Sequence, residues 1–171
     1  MSDPGDERFP LVTATGERVG VATRAECHAD PALLHPSVHV VVIATDGVVW
    51  QLRGPHKDSA PSHWDHACSG HVGVGESETE AAVRELAEEV GVQARADDLE
   101  LLGRRVCQLE RETELTSVFR LRHDGPFTVA PPELAGLIVL PAEIRPAPLS
   151  QSCALVNEWL DESAPGWDSG R

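Results

Sequence analysis

The chain has 171 residues, of which 41% are hydrophobic, enough for one domain of ordinary size with a substantial core and too many for a disordered chain. Its 28 Asp and Glu against 14 Lys and Arg give a formal charge of −14. Such a chain lacks the excess cation that a nucleic acid polymer or an anionic membrane surface demands, and leaves small polyanions as partners, provided a metal or a few local cations neutralise them.

In chain order, residues 1–8 are polar and predict a flexible tail. Phe9–Thr13 and Val19–Thr23 flank a glycine-containing turn and predict a small hairpin. The β-branched run Val38–Thr45 is followed by Asp46-Gly47 and by Val48–Arg53, a strong hairpin signal. Residues 54–64, rich in Pro, Gly, Ser and His, predict a loop. Ser77 and Glu80 form a capping-box pattern and Gly91 a left-handed stop, which together bound a helix with Val83, Leu86 and Val90 toward the core. Leu99–Glu110 and Leu115–Arg122 predict two long strands, and Leu137–Leu140 a short buried one. A helix follows near Gln151–Asp161, and residues 163–171 predict a second flexible tail. No repeat divides the chain, so 1–171 is expected to be a single α/β domain. The four cysteines, Cys27, Cys68, Cys107 and Cys153, form no CxxC pair. With no secretory signal they are expected to be reduced thiols in a cytoplasmic protein. The apolar run from Val38 to Ala44 is interrupted by His39 and too short to span a bilayer.

The chemistry concentrates in residues 70–92, GHVGVGESETEAAVRELAEEVGV. Glu85, Glu88 and Glu89 stand at i, i+3 and i+4 on the helix, away from its apolar side. Three carboxylates on one face repel, and a divalent cation relieves that cost. Mg²⁺ prefers oxygen donors and binds through a few carboxylates plus substrate phosphates. An ordinary glutamate-rich helix face is merely solvated, but this one carries a far more specific pattern: Gly70, Glu76, Arg84, Glu85, Leu86, Glu88, Glu89, Gly91 and Val92 match G-x5-E-x7-R-E-U-x-E-E-x-G-U, with U apolar. At average residue usage its fixed letters recur by chance on the order of once per 10⁸–10⁹ positions. The segment is identified as the box of the Nudix family.

That resemblance implies an α/β/α sandwich with a mixed central sheet and a loop–helix–loop box. It implies that Glu88 and Glu89 bind the metal, that Glu85 supports the metal or its water, that the Gly70 carbonyl is a further ligand, and that Glu76 and Arg84 pair to brace the loop. The implied activity is metal-assisted attack of water on a diphosphate linkage, with Mg²⁺, or Mn²⁺ in its place, as cofactor.

Residues 53–77, RGPHKDSAPSHWDHACSGHVGVGES, further resemble the branch that contains the isopentenyl-diphosphate isomerases. The match implies that Arg53 and Lys57, the chain's single lysine, hold a diphosphate. It also implies a second metal site made by His28, His35, His71, Glu112 and Glu114, whose imidazoles favour Mn²⁺ or Zn²⁺. The isomerases need a cysteine directly before the Gly-His and a nearby tyrosine. Here Ser69 occupies that position, Cys68 lies one residue early and on the opposite strand face, and there is no tyrosine. Glu114 alone cannot supply both halves of an allylic proton transfer. The expectation is therefore a hydrolase of nucleoside 5′-di- or triphosphates or related nucleoside diphosphate derivatives, with Glu85, Glu88, Glu89 and Glu114 catalytic. Arg53 and Lys57 read phosphate, and Trp64 either stacks on the base or belongs to the core. An isomerase using Cys68 through a bulge, a non-catalytic nucleotide-binding module, against which the intact Glu85, Glu88 and Glu89 argue, and a hydrolase of a non-nucleotide diphosphate are the alternatives.

Overall fold

The computed structural model describes residues 4–168. Residues 1–3 and 169–171 of the two expected tails lie outside that range. Within it, strands β1 (Arg8–Val12) and β2 (Arg18–Thr23) pair antiparallel as a separate two-stranded hairpin. A one-turn helix α1 (Arg24–Cys27) follows, capped by Thr23 and Glu26. The main sheet contains β3 (His35–Ala44), β4 (Gly47–Arg53), β5 (Trp64–His66), β6 (Cys68–His71), β7 (Glu100–Gln108), β8 (Thr113–Arg122) and β9 (Leu134–Leu140). Its path runs β5-β4-β3-β8-β7, with β6 on β3 and β9 on β4. Only β3 and β8 run parallel; the other pairs are antiparallel. Helices α2 (Glu78–Val90) and α3 (Gln151–Ser163) cover the two faces, an α/β/α sandwich on a mixed sheet.

The reason β3 reads as a continuous apolar run is that it is buried on both faces. Val38, Val40 and Val42 pack with Leu86 and Val90 of α2. Val41 and Ile43 pack with Val156 and Leu160 of α3. The first residues of β3 on the α3 side are instead polar: His35, Ser37 and His39, all buried. The strand thus changes from core to site along a single face. Val42–Ala44 pair with β4 and Ser37–Val40 with β6, and the gap between those two strands opens a cleft.

Four expectations need correction. Val83 is only half-buried, and Ala81 and Ala82 take the buried positions, because small side chains let α2 approach the sheet. Strand β9 is longer than expected and mostly exposed or half-buried, since it lies on the sheet's edge against β4. The start of the N-terminal segment is ordered: Pro4–Asp6 make a 3-10 turn and Arg8 already belongs to β1. The segment after Ser163 is docked, because Trp167 is 2% exposed within the α3-side core and its indole N–H donates to Asp161. Strand β5 begins at Trp64, the last residue of the expected loop, and β6 carries Cys68 and Ser69 on opposite faces as expected.

Candidate active site

The cleft has a volume of about 1410 Å³ and brings the expected cations and carboxylates together. Arg53, Lys57, Gly70, His71, Glu85, Glu88, Glu89, Glu112 and Glu114 all line it. Arg53 ends β4 and is nearly buried; its guanidinium donates to the Ser59 carbonyl and, at 3.5 Å, to Asp65. Lys57 reaches the exposed Glu133 carboxylate across the cleft. Trp64 does not line the cleft. It shares a strand face with His66 and, partly buried, packs against the α3-side core.

The box helix begins and ends as its sequence dictates. Ser77 accepts from the Glu80 N–H, the Glu80 carboxylate accepts from the Ser77 N–H, and Gly91 closes the helix at φ 71°. Arg84 is the hub: it donates to both oxygens of Glu76 at 2.8 and 3.0 Å, to the His71 carbonyl at 3.0 Å, to Glu85 at 2.6 Å and to Glu88 at 3.2 Å. The loop is braced onto the helix by that bidentate pair. The carboxylate repulsion expected on this face is therefore partly relieved by Arg84. The three glutamates also differ. Glu88 is exposed, Glu85 half-buried and Glu89 buried. Burial, reinforced by Glu85, pushes the Glu89 carboxyl up to about 8, although Gln51 and the Ser69 N–H both donate to it. Burial likewise raises Glu85. These groups gain from a nearby cation. Gly70 has a steric reason to be glycine: a Cβ there would overlap the Glu85 carboxylate.

A second cluster lies at the end of β3. His28 closes α1, His35 starts β3, His71 ends β6, and Glu112 and Glu114 flank the start of β8. The Glu112 Oε2 stands 2.8, 3.3 and 3.8 Å from the Nε2 atoms of His28, His35 and His71, and Glu114 Oε1 is 3.2 Å from His71. Despite these distances, His28 Nε2, His35 Nε2, His71 Nε2 and Glu112 Oε2 are buried with no hydrogen-bond partner. Four ligand atoms within 4.8 Å of one another converge on a point without bonding to each other. That arrangement fits a metal ion, with Phe9 stacked at 4.4 Å on His71 as an apolar cover. Ser37 donates to Glu114 at 3.0 Å and orients it. Without metal, burial would lower His71, but Glu112 and Glu114 overcome it and raise it to about 9. The surrounding imidazoles hold Glu112 and Glu114 low against the opposing effect of burial.

The cysteine positions follow strand alternation. Cys68 is fully buried in the α2-side core, where burial and Glu89 raise its thiol well above the usual range. Ser69 lines the cleft. Sequence reasoning missed Gln51, Ser37, Asp65 and His66. It noted His39 only as an interruption of an apolar run, which was itself the available signal.

The NUDIX domain family model matches residues 33–160. An isopentenyl-diphosphate Delta-isomerase of Nocardia farcinica is 34% identical over 164 residues, covering 89% of each chain. Nudix hydrolase 3 of Arabidopsis thaliana is 39% identical over 98 residues, but that match spans only 13% of its length. Among solved structures, a Deinococcus radiodurans protein superposes with a TM-score of 0.64 at 26% identity, covering 79% of this chain and 83% of that one. The NUDIX domain of Shewanella oneidensis NrtR, solved with ADP ribose, shares the fold with a TM-score of 0.60 at 20% identity, covering 82% and 98%.

Proposed function

This chain belongs to the NUDIX family, and from that premise we propose that it hydrolyses a diphosphate linkage in nucleoside 5′-di- or triphosphates or related nucleoside diphosphate derivatives in the cytoplasm, using Mg²⁺ or Mn²⁺ at the box. The observation that carries this reading is the shared cleft: Glu85, Glu88 and Glu89 face the same space as Arg53 and Lys57. Carboxylates for a cation and cations for phosphate are the complementary halves of a polyphosphate site. A bound divalent ion supplies charge neutralisation and Lewis acidity to the phosphate and the attacking water.

The chain's own residues supply the rest. Glu88 and Glu89, with the Gly70 carbonyl, would hold the ion, and Glu85 would support it from beside Gly70. Arg53, held by Ser59 and Asp65, presents a pre-oriented guanidinium to the phosphate oxygens. Lys57 exchanges Glu133 for phosphate. Glu114, held by Ser37, serves the second cluster, for which Mn²⁺ or Zn²⁺ suits the three imidazoles. The test is a phosphate-release screen over nucleoside di- and triphosphates, sugar nucleotides and dinucleotides with Mg²⁺ and Mn²⁺. Hydrolysis of none of them by folded protein overturns the reading.

The four-residue cluster of His28, His35, His71 and Glu112, with Glu114 against His71, and the Nocardia relative favour a second reading, isomerisation of isopentenyl diphosphate. Against it stand Ser69 at the cysteine position, Cys68 turned into the core and the absence of tyrosine.

A further inference from the structure

Beside the cleft lies a second polar cluster, His39, Asp65 and His66, whose ligand atoms also fall within 4.8 Å of one another. Its composition resembles that of the five-residue cluster, but its hydrogen bonding is opposite. There the converging Nε2 atoms are orphaned; here the inner atoms are satisfied. His39 Nδ1 is 2.9 Å from His66 Nδ1, and His66 Nε2 is 3.2 Å from Asn157 Oδ1. Asp65 accepts from the His66 N–H and from Ser150 Oγ, both at 2.9 Å, and the Arg53 guanidinium lies against its second oxygen. A cation would have to displace these donors and sit beside Arg53. The cluster is therefore built for protons.

The direction of each bond can be followed from the inside outward. The Asn157 amide donates through Nδ2 to Cys153 Sγ, which leaves its Oδ1 as acceptor. His66 must then donate through Nε2. A neutral imidazole that donates at one nitrogen accepts at the other. Burial, with His39 beside it, keeps His66 neutral by lowering it to about 4. His66 Nδ1 is therefore an acceptor, and His39 must donate to it through Nδ1. The carboxylate of Asp65, 3.5 Å from the same His39 nitrogen, reinforces that tautomer. His39 Nε2 is left with its lone pair. Of the three residues only His39 reaches the cleft lining, so the ring edge it presents there is the one not tied inward. Its cross-strand neighbour is Ser69, whose backbone N–H holds Glu89 of the box. Directly opposed residues of an antiparallel pair share a sheet face with Cβ atoms about 4.5–5.5 Å apart. The Ser69 hydroxyl and the His39 ring therefore flank one small volume of the cleft.

We propose that His39 is a catalytic residue of this cleft, the proton acceptor for the attacking water, and that His66 and Asp65 are positioning residues that hold its Nε2 lone pair toward that water. The step rests on the hydrolase reading above. The water oxygen forms a bond to phosphorus while its proton passes to His39 Nε2. The bridging P–O bond breaks, and its electron pair leaves with the departing phosphate. The resulting imidazolium, stabilised by Asp65, returns the proton to the leaving oxygen or to solvent.

The test pairs kinetics with a readout independent of substrate. Long-range ¹H–¹⁵N spectra of the wild type, assigned by difference from His39→Gln, are expected to show His39 protonated at Nδ1 and bare at Nε2. An Nε2–H tautomer overturns the proposal. With the best diphosphate from the screen, His39→Gln should lower kcat about 10²-fold and leave KM within about threefold. His39→Ala should regain activity with added imidazole, which a merely structural histidine would not allow. His66→Phe should lower kcat in the same way and mix the His39 tautomers. Undiminished kcat in folded His39→Gln, or loss in His39→Ala that imidazole does not restore, sinks the assignment while leaving the hydrolase intact. If the wild type hydrolyses no diphosphate, the hydrolase reading and the water-activation step fall together, and the spectra alone then decide whether a proton acceptor faces the cleft.

Discussion

Glu89 concentrates the conflict between stability and function in one side chain. It is 6% exposed, and burial together with Glu85 lifts its carboxyl to about 8. Its folded value lies above its unfolded one, so the folded state holds the proton more tightly. The contribution to stability is fully present below about 4.5, the ordinary carboxylate value, and is lost as pH rises through about 8. In chelator, the wild type should therefore melt at lower temperature at pH 9 than at pH 6. Glu89→Gln keeps the shape and the donors Gln51 and Ser69 while removing the charge. Relief of ~1–2 kcal/mol raises the metal-free melting temperature at pH 9 by roughly 2–8 °C in a chain of this size. The same variant should lose about 10²-fold or more in hydrolysis, as expected for loss of a main electrostatic element. Calorimetry with a phosphate-release assay checks both. Near-wild-type turnover from the folded variant would remove the box helix from the mechanism.

At the scale of elements, the bounds of the box helix are legible because their signals are local, whereas its buried face is not, since Ala81 and Ala82 rather than Val83 meet the core. Ser77, Glu80 and Gly91 bound the helix, and the fixed letters around Glu85, Glu88 and Glu89 carry the family's pattern. The hairpin at Asp46-Gly47 was legible for the same reason. The five-residue cluster was legible only through the spacing shared with the isomerases. The His39–His66–Asn157 chain was not legible at all, because its members lie 27 and 91 residues apart and meet only once β3, β5 and α3 are packed. In β6, strand alternation puts Ser69 in the cleft and Cys68 in the core, as their adjacent positions in the sequence predict. With isopentenyl diphosphate and Mg²⁺ or Mn²⁺, the wild type should give no allylic isomer above background, and Ser69→Cys at best traces. Robust isomerisation by the wild type that disappears in Cys68→Ala would reverse this reading. Arg53, at the end of β4, and Lys57, in the loop beyond it, give the complementary prediction. Changing either to Ala should raise KM for di- and triphosphates about tenfold, the effect of losing about 1.4 kcal/mol, regardless of base. A change in base preference without that general rise would show that they do not read phosphate. Arg53→Ala should also cost some stability, because Asp65 then remains buried without its cation.

At the scale of the whole molecule, the five-residue cluster ties the N-terminal hairpin region to the main sheet. His28 comes from the end of α1, His35 from β3, His71 from β6, and Glu112 and Glu114 from the start of β8. A metal there would join segments that also meet through the small core of Phe9, Ala22 and Cys27 and through the Arg18 hydrogen bond to the Glu76 carbonyl. Ion binding to the folded chain at about 100 times its Kd adds about 2.7 kcal/mol. At about 2–4 °C per kcal/mol, Mn²⁺ or Zn²⁺ should raise the melting temperature by roughly 5–11 °C over chelated protein. The pH dependence has a definite sign. Without metal, His71 is raised to about 9 by Glu112 and Glu114 against burial, so its stabilising pairing is complete below about 6.5 and lost as pH rises through 9. Glu112 and Glu114 are lowered, so their pairing is complete above about 4.5 and lost in acid. The metal-free protein is accordingly favoured between those limits and weakens toward pH 9. Metal binding instead requires His71 to give up its proton and so tightens over the same interval. The metal-dependent gain in melting temperature should grow from pH 6.5 to 9 and vanish in His28→Ala and Glu112→Gln. Glu88→Gln, which alters only the box, should keep it. A gain that is flat with pH, or that survives in Glu112→Gln, would show that the stabilising ion binds elsewhere.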